Sequence, residues 1–177
     1  HTVLPDDIVD ITVPIMGYIG ALDSNRLDIA LMNHLADAFP QYVMVLVGPE
    51  DNAFQNSELH RKRNVRFLGK KAMNDLFRYI GAFSVCLNPQ LTNAITIGNY
   101  PRKIDEYLAL GKPVIATCNP TMEAFRSVVY LAGSYDEYSH AINKALAENT
   151  PELEAKRKAF VATHTWENSV ASMLKYI

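Results

Sequence analysis

Cysteine, tryptophan and glycine are scarce here: 2, 1 and 8 among 177 residues. Two cysteines cannot staple a small secreted scaffold. Cys86 and Cys118 fall in or just after apolar, strand-like runs, which reads as two reduced, buried small hydrophobes in a reducing, cytoplasmic compartment. A basic excess is also missing. The formal net charge of −2 excludes a dominant nucleic-acid surface. No apolar run approaches the length of a membrane span, and no signal peptide is present. The chain opens on His1 rather than methionine, which reads as a piece of something longer. The five histidines are scattered without ligand spacing, so no metal site is expected. There is no internal repeat and no low-complexity segment.

What remains is an ordinary globular composition, 49% hydrophobic and 20% charged, in a chain long enough for one well-filled core. Strand and helix signals alternate from end to end. Apolar runs predict strands at 15–19, 42–47, 65–68, 83–87, 114–116 and 128–131. Between them, the stripe of Leu27, Leu31, Leu35 and Ala38 predicts a helix over 26–39, closed by Pro40. Further helices are expected over 72–81, 134–147 and 151–162, a short one within 54–63, and a last one capped by Thr165. Residues 1–12 read as a leader, and 13–177 as a single domain. Six strands alternating with helices predict an α/β fold, a doubly wound, mostly parallel sheet with helices on both faces. Such sheets bind ligands beyond the carboxyl ends of their strands, where the strand order reverses.

The most informative stretch is 99–117. Pro101 suits the first position of a helix, Gly111 its left-handed stop, and Pro113 prevents its resumption. Val114-Ile115-Ala116 then reads as a strand covered on both faces. Arg102 and Lys103 add cations to a helix N-terminus, an arrangement suited to a phosphate. Glu106 lies one turn deeper, where a carboxylate can accept two hydroxyl hydrogen bonds from a sugar diol. Residue types alone leave a second reading open, in which Lys103 and Glu106 form an i,i+3 surface ion pair.

The pattern Pro101-x-Lys103-x-x-Glu106-Tyr107-Leu108-Ala109-x-Gly111-Lys112-Pro113-Val114 resembles the donor-site segment of family 4 (group 1) glycosyltransferases, retaining enzymes of GT-B fold. Three further passages resemble the same template in the same order: Val13 to Ala21, Phe39-Pro40 to Pro49, and Asn64 to Lys70. The resemblance implies one Rossmann-like half of a GT-B enzyme, binding a UDP- or GDP-sugar without a metal or other cofactor. Lys103 and Arg102 would then stabilise the departing diphosphate. Gly20, Ala21 and Arg26 in and after the first loop would approach it, Pro101 would start the donor helix, and Glu106 would hold the ribose. The backbone of Leu68, Gly69 and Lys70 would read the base edge. Arg26 has a plainer alternative as a first-turn arginine pointing to solvent. The partner half, carrying a glycan or lipid-linked acceptor, would precede this domain. The implied activity is hexose transfer in polysaccharide assembly, with peripheral membrane contact for the full-length enzyme and no transfer by this fragment alone.

Two positions depart from the family pattern. A second glutamate common eight residues before the ribose one is Gly98 here, and an arginine common after the first-loop glycine is Ala21. Asn93, Thr96 or Asn99 are candidates to replace the missing carboxylate. Two other readings stay open: a GT-B nucleotide-sugar epimerase or hydrolase, and a non-catalytic regulatory domain with a decayed donor site. A dinucleotide-binding dehydrogenase fits poorly, because the run from Gly17 to Asp23 lacks the third fingerprint glycine.

Overall fold

A computed structural model describes residues 4–163. Six parallel strands form one sheet in the order β3-β2-β1-β4-β5-β6: β1 Ile15–Ile19, β2 Val43–Val47, β3 Val65–Gly69, β4 Val85–Asn88, β5 Val114–Thr117 and β6 Tyr130–Ala132. Strand order reverses between β1 and β4. All pairings are parallel, and β1, β2, β4 and most of β5 are buried on both faces, which is why their sequences read as apolar runs rather than alternations.

Helices α1 Ile29–Ala38, α2 Asn52–Gln55, α3 Leu76–Ala82, α4 Arg102–Ala109, α5 Tyr135–Glu148 and α6 Pro151–Ala162 connect and cover the strands. Two cores result, one on each face. Met16, Tyr18, Leu35, Leu46, Val85, Leu87 and Ile142 pack against α1 and α5. Ile19, Val45, Cys86, Ile104, Tyr107, Leu108 and Phe125 fill the opposite side.

Differences from the sequence reading have local causes. Helix α1 starts at Ile29 rather than residue 26, because the Asp28 carboxylate accepts from Leu31 N at 2.8 Å and caps it. The short helix within 54–63 is split into α2 and a 3₁₀ turn at Glu58–Arg61. Pro101 is the N-cap, with ψ of 81°, rather than the first helical residue. The described part of the stretch read as a leader is docked: Ile8 is buried in the second core, and Asp7 meets Lys71 Nζ at 2.7 Å and accepts from the Tyr79 hydroxyl at 3.0 Å. The helix expected from Thr165 lies outside the described residues.

Candidate functional site at the strand-order reversal

The loops after β1 and β4 meet above the reversal. Asp28 N donates to Pro89 O at 2.9 Å, Leu91 N to Arg26 O at 2.8 Å, and Asn93 Nδ2 to Asn25 O at 2.8 Å. The first loop is also tied to the second. Leu22 N donates to Pro49 O at 2.8 Å, and Ser24 donates through both N and Oγ to the Asp51 carboxylate.

Below these loops the sheet opens. Strand β1 is in register with β4 only at Met16–Val85 and Gly17–Cys86. Beyond that point Ile19 N donates to the hydroxyl of Tyr107, from α4, at 2.9 Å. One turn earlier on the same helix face, Lys103 reaches β1 as well. Its ammonium donates to the Tyr18 hydroxyl and stands 4.0 Å from the Tyr18 ring centroid. Two polar side chains four residues apart thus hold the start of α4 against the carboxyl end of β1.

At Gly20 a side chain would crowd this arrangement. A Cβ there would lie 2.8 Å from Lys103 Nζ and 3.1 Å from the Tyr18 hydroxyl, and its φ of +137° is one that L side chains rarely adopt. Burial pushes the Lys103 ammonium down to about 8, the charge of Arg26 pushes the same way, and Glu106 partly opposes them. A lysine that is half-neutral near pH 8 and faces a glycine loop would gain its full charge from an anionic ligand.

Of the residues expected in the site, the structure brings Gly20, Ala21 and Lys103 together. Ala21 contributes its carbonyl, which accepts from the Tyr18 hydroxyl at 3.2 Å. Arg26 lies in the turn before α1 rather than in its first turn, pairs with Asp23 at 3.4 Å and is 45% exposed, though its charge still acts on Lys103. Arg102 is exposed at the start of α4.

Glu106 is exposed and lines a groove of about 250 Å³ between α4 and α3, with Met73, Leu76, Phe77, Ile80 and Leu110. The surface ion pair is therefore not the arrangement found, since Lys103 turns to Tyr18 instead. Leu68 and Gly69 are still strand. The Gly69 carbonyl accepts from Gly48 N at 2.9 Å, so only from Lys70 does the backbone leave the sheet.

The two departures are structural as well as chemical. Gly98 has φ of +81°, and its N–H donates to Thr121 Oγ1 at 3.1 Å, so a glutamate would need a different backbone there. Asn93 and Thr96, candidates to replace it, are engaged in hydrogen bonds within the protein. They bond to each other, Asn93 also donates to Asn25 O in the loop after β1, and Thr96 is buried. Thr117 does not cap the next helix. Its hydroxyl pairs with that of Tyr138 at 2.8 Å, while Asn119 accepts from Met122 N as the cap.

Sequence reasoning passed over three residues. Tyr18 and Tyr107 look like core aromatics, and only the tyrosine spacing after Lys103 hinted at a shared face. Asn88, at the end of β4, is completely buried, and neither atom of its side-chain amide has a hydrogen-bond partner among the described residues. Among those residues no group of three His, Cys, Asp or Glu side chains could hold a metal ion, and no helix is long and apolar enough to cross a membrane.

A doubly wound parallel sheet whose strand order reverses between β1 and β4 defines a class, the Rossmann-like α/β domains. Within that class the chain belongs to the group 1 glycosyl transferases, whose pattern it matches over residues 13–148.

Among relatives, TuaH of Bacillus subtilis (strain 168), whose name assigns it as a glycosyltransferase to teichuronic acid biosynthesis, is 26% identical over 171 residues, covering 92% of this chain and 42% of TuaH. Anabaena Alr3699/HepE, solved in complex with UDP-glucose, superposes with a TM-score of 0.71 at 22% identity, covering 94% of this chain and 50% of that one. Sucrose-phosphate synthase from Thermosynechococcus elongatus gives 0.67 at 23% identity, covering 93% and 45%. The chain thus spans about half the length of the proteins it matches. The structural neighbours share its Rossmann-like half of a GT-B fold.

Proposed function

We propose that this domain binds a nucleoside diphosphate sugar across the β1–β4 opening, as the donor-binding half of a retaining glycosyltransferase that moves a hexose onto a glycan or lipid-linked acceptor. The observation that carries this reading is Lys103, an ammonium held at a helix N-terminus against Gly20 by a tyrosine rather than by a carboxylate. Its charge and the positive end of the α4 dipole would stabilise the diphosphate as the glycosidic bond breaks, electrostatic work that needs no proton transfer from the protein. Glu106, one turn along α4, would accept both ribose hydroxyls, and the apolar groove beside it would lie against the nucleoside.

UDP-glucose in the Anabaena neighbour makes a UDP-sugar the first donor to test. The name of the Bacillus relative supports a place in envelope polysaccharide synthesis. The free thiols of Cys86 and Cys118 suit the cytoplasm, with the full-length protein working at the periphery of a membrane. The acceptor would be held by a second domain, so this domain alone would bind nucleotide without transferring sugar.

The test is calorimetric titration with UDP, GDP and ADP, on the wild type and on Glu106→Ala. Losing two charge-assisted hydrogen bonds should cost about 2–5 kcal/mol of binding. Unchanged affinity in the variant would remove Glu106 from the site, and a fragment that transfers sugar unaided would refute the division of labour.

A further inference from the structure

We infer that Tyr18 is the positioning residue of the site, holding the Lys103 ammonium in place for a diphosphate before any ligand arrives. The inference rests on the donor reading above and adds a residue to it.

Tyr18 is buried at the end of β1, with its ring in the first core and its hydroxyl at the opening. That hydroxyl has a single proton, and it is committed: it donates to Ala21 O at 3.2 Å. Toward Lys103 the oxygen can therefore only accept, and Lys103 donates to it. One of the three ammonium N–H bonds is thereby occupied, and among the described residues the other two have no partner and remain for an anion over Gly20. The ring adds attraction for the cation, whose Nζ lies 4.0 Å from the centroid.

A free lysine would lose rotamer entropy on binding a phosphate. Here that ordering has already happened, which is how preorganisation raises affinity without new ligand contacts. Tyr18 itself stays neutral, because burial pushes its phenol far above the ordinary value.

The charged and titratable groups acting on this pair are few. Asp23 and Arg26 stand on the loop after β1, where they pair with each other. Glu106 and Tyr107 belong to α4 with Lys103. The hydroxyl accepts only from the charged form of Lys103, and so favours that form against the burial that pushes its proton off.

The experiment compares UDP affinity from pH 6 to 10 in wild type, Tyr18→Phe and Tyr18→Leu, with ¹⁵N-lysine NMR following Lys103 in the free proteins. Tyr18→Phe keeps the ring and loses the acceptor. The pH at which UDP affinity falls by half should drop by about one unit, with the Lys103 titration moving alike. Tyr18→Leu also loses the ring, and affinity should be weaker than in Tyr18→Phe at every pH.

A purely structural role would lower affinity evenly and leave both titrations where they are in the wild type. Wild-type binding with superimposable profiles in Tyr18→Phe overturns this inference and leaves the donor reading standing. A wild type that binds none of UDP, GDP and ADP at any pH overturns both.

Discussion

Gly20→Ala tests the geometry of the opening with one added carbon. Two costs are readable from the structure. The first is conformational: at φ +137° an alanine is strained, and residues forced into such regions lose about 1–3 kcal/mol. The second is positional. The new methyl would stand 2.8 Å from Lys103 Nζ and 3.1 Å from the Tyr18 hydroxyl, so the ammonium must retreat by several tenths of an ångström.

Because the lysine tip is flexible, this retreat should cost little stability. It would displace the charge from where a diphosphate needs it, and displacements of that kind reduce binding or catalysis by roughly 10- to 100-fold. Urea unfolding should show the strain as a lower midpoint, and calorimetry at 10 °C, with folding checked by circular dichroism, should show UDP affinity reduced tenfold or more. Gly98→Ala supplies the control: it is also at positive φ, but its Cβ would meet nothing within 4 Å. It should lose about 1 kcal/mol of stability and keep its affinity. Equal UDP affinity in Gly20→Ala and wild type would refute the placement of the anion against Lys103 and Gly20.

Two further outcomes concern stability. The Lys103 ammonium is held below its ordinary range by burial, so the unfolded chain keeps its proton to higher pH than the folded one. Stability should therefore rise between about pH 8 and 10.5 in the wild type. Lys103→Met should remove that slope and gain on the order of 2 kcal/mol below pH 8, measured by urea unfolding at each pH. Arg157 is buried on α6 and donates to Gly111 O at 3.0 Å and to Asn149 Oδ1 at 2.6 Å, fastening the end of α4. Arg157→Met should cost about 2–4 kcal/mol, lowering Tm by roughly 5–12 °C, with UDP affinity at 10 °C unchanged.

The strands and their alternation with helices were legible because each buried strand is a short apolar run between turn residues, and Gly111 does end α4 as its sequence suggests. Strand direction and the reversal between β1 and β4 agree with what connections through helices dictate. The site was legible only in part. Spacing placed Lys103 and Glu106 on one helix face, but spacing does not set side-chain rotamers, and the two point to different neighbours.

Tyr18 was hidden for a related reason. In a strand covered on both faces a tyrosine looks like any other apolar residue, and its hydroxyl acquires a role only when α4 arrives from 85 residues away. Asn88 was equally silent, since nothing in a strand-ending asparagine announces burial without a partner.

The short seam between β1 and β4 bears on how the domain opens. One three-stranded half holds β1, β2 and β3, the other β4, β5 and β6, and they meet at only two register pairs. Loop hydrogen bonds such as Leu91 N to Arg26 O and Asn93 Nδ2 to Asn25 O, with the Tyr107 and Lys103 contacts to β1, carry the rest of the join, so opening of one half against the other must break them. Gly20 belongs to the first half, while Lys103 and Glu106 belong to the second. A nucleotide bound there is a cross-link between two folding units, and amide exchange along the seam should slow when it binds, even where no atom of the ligand touches the protein.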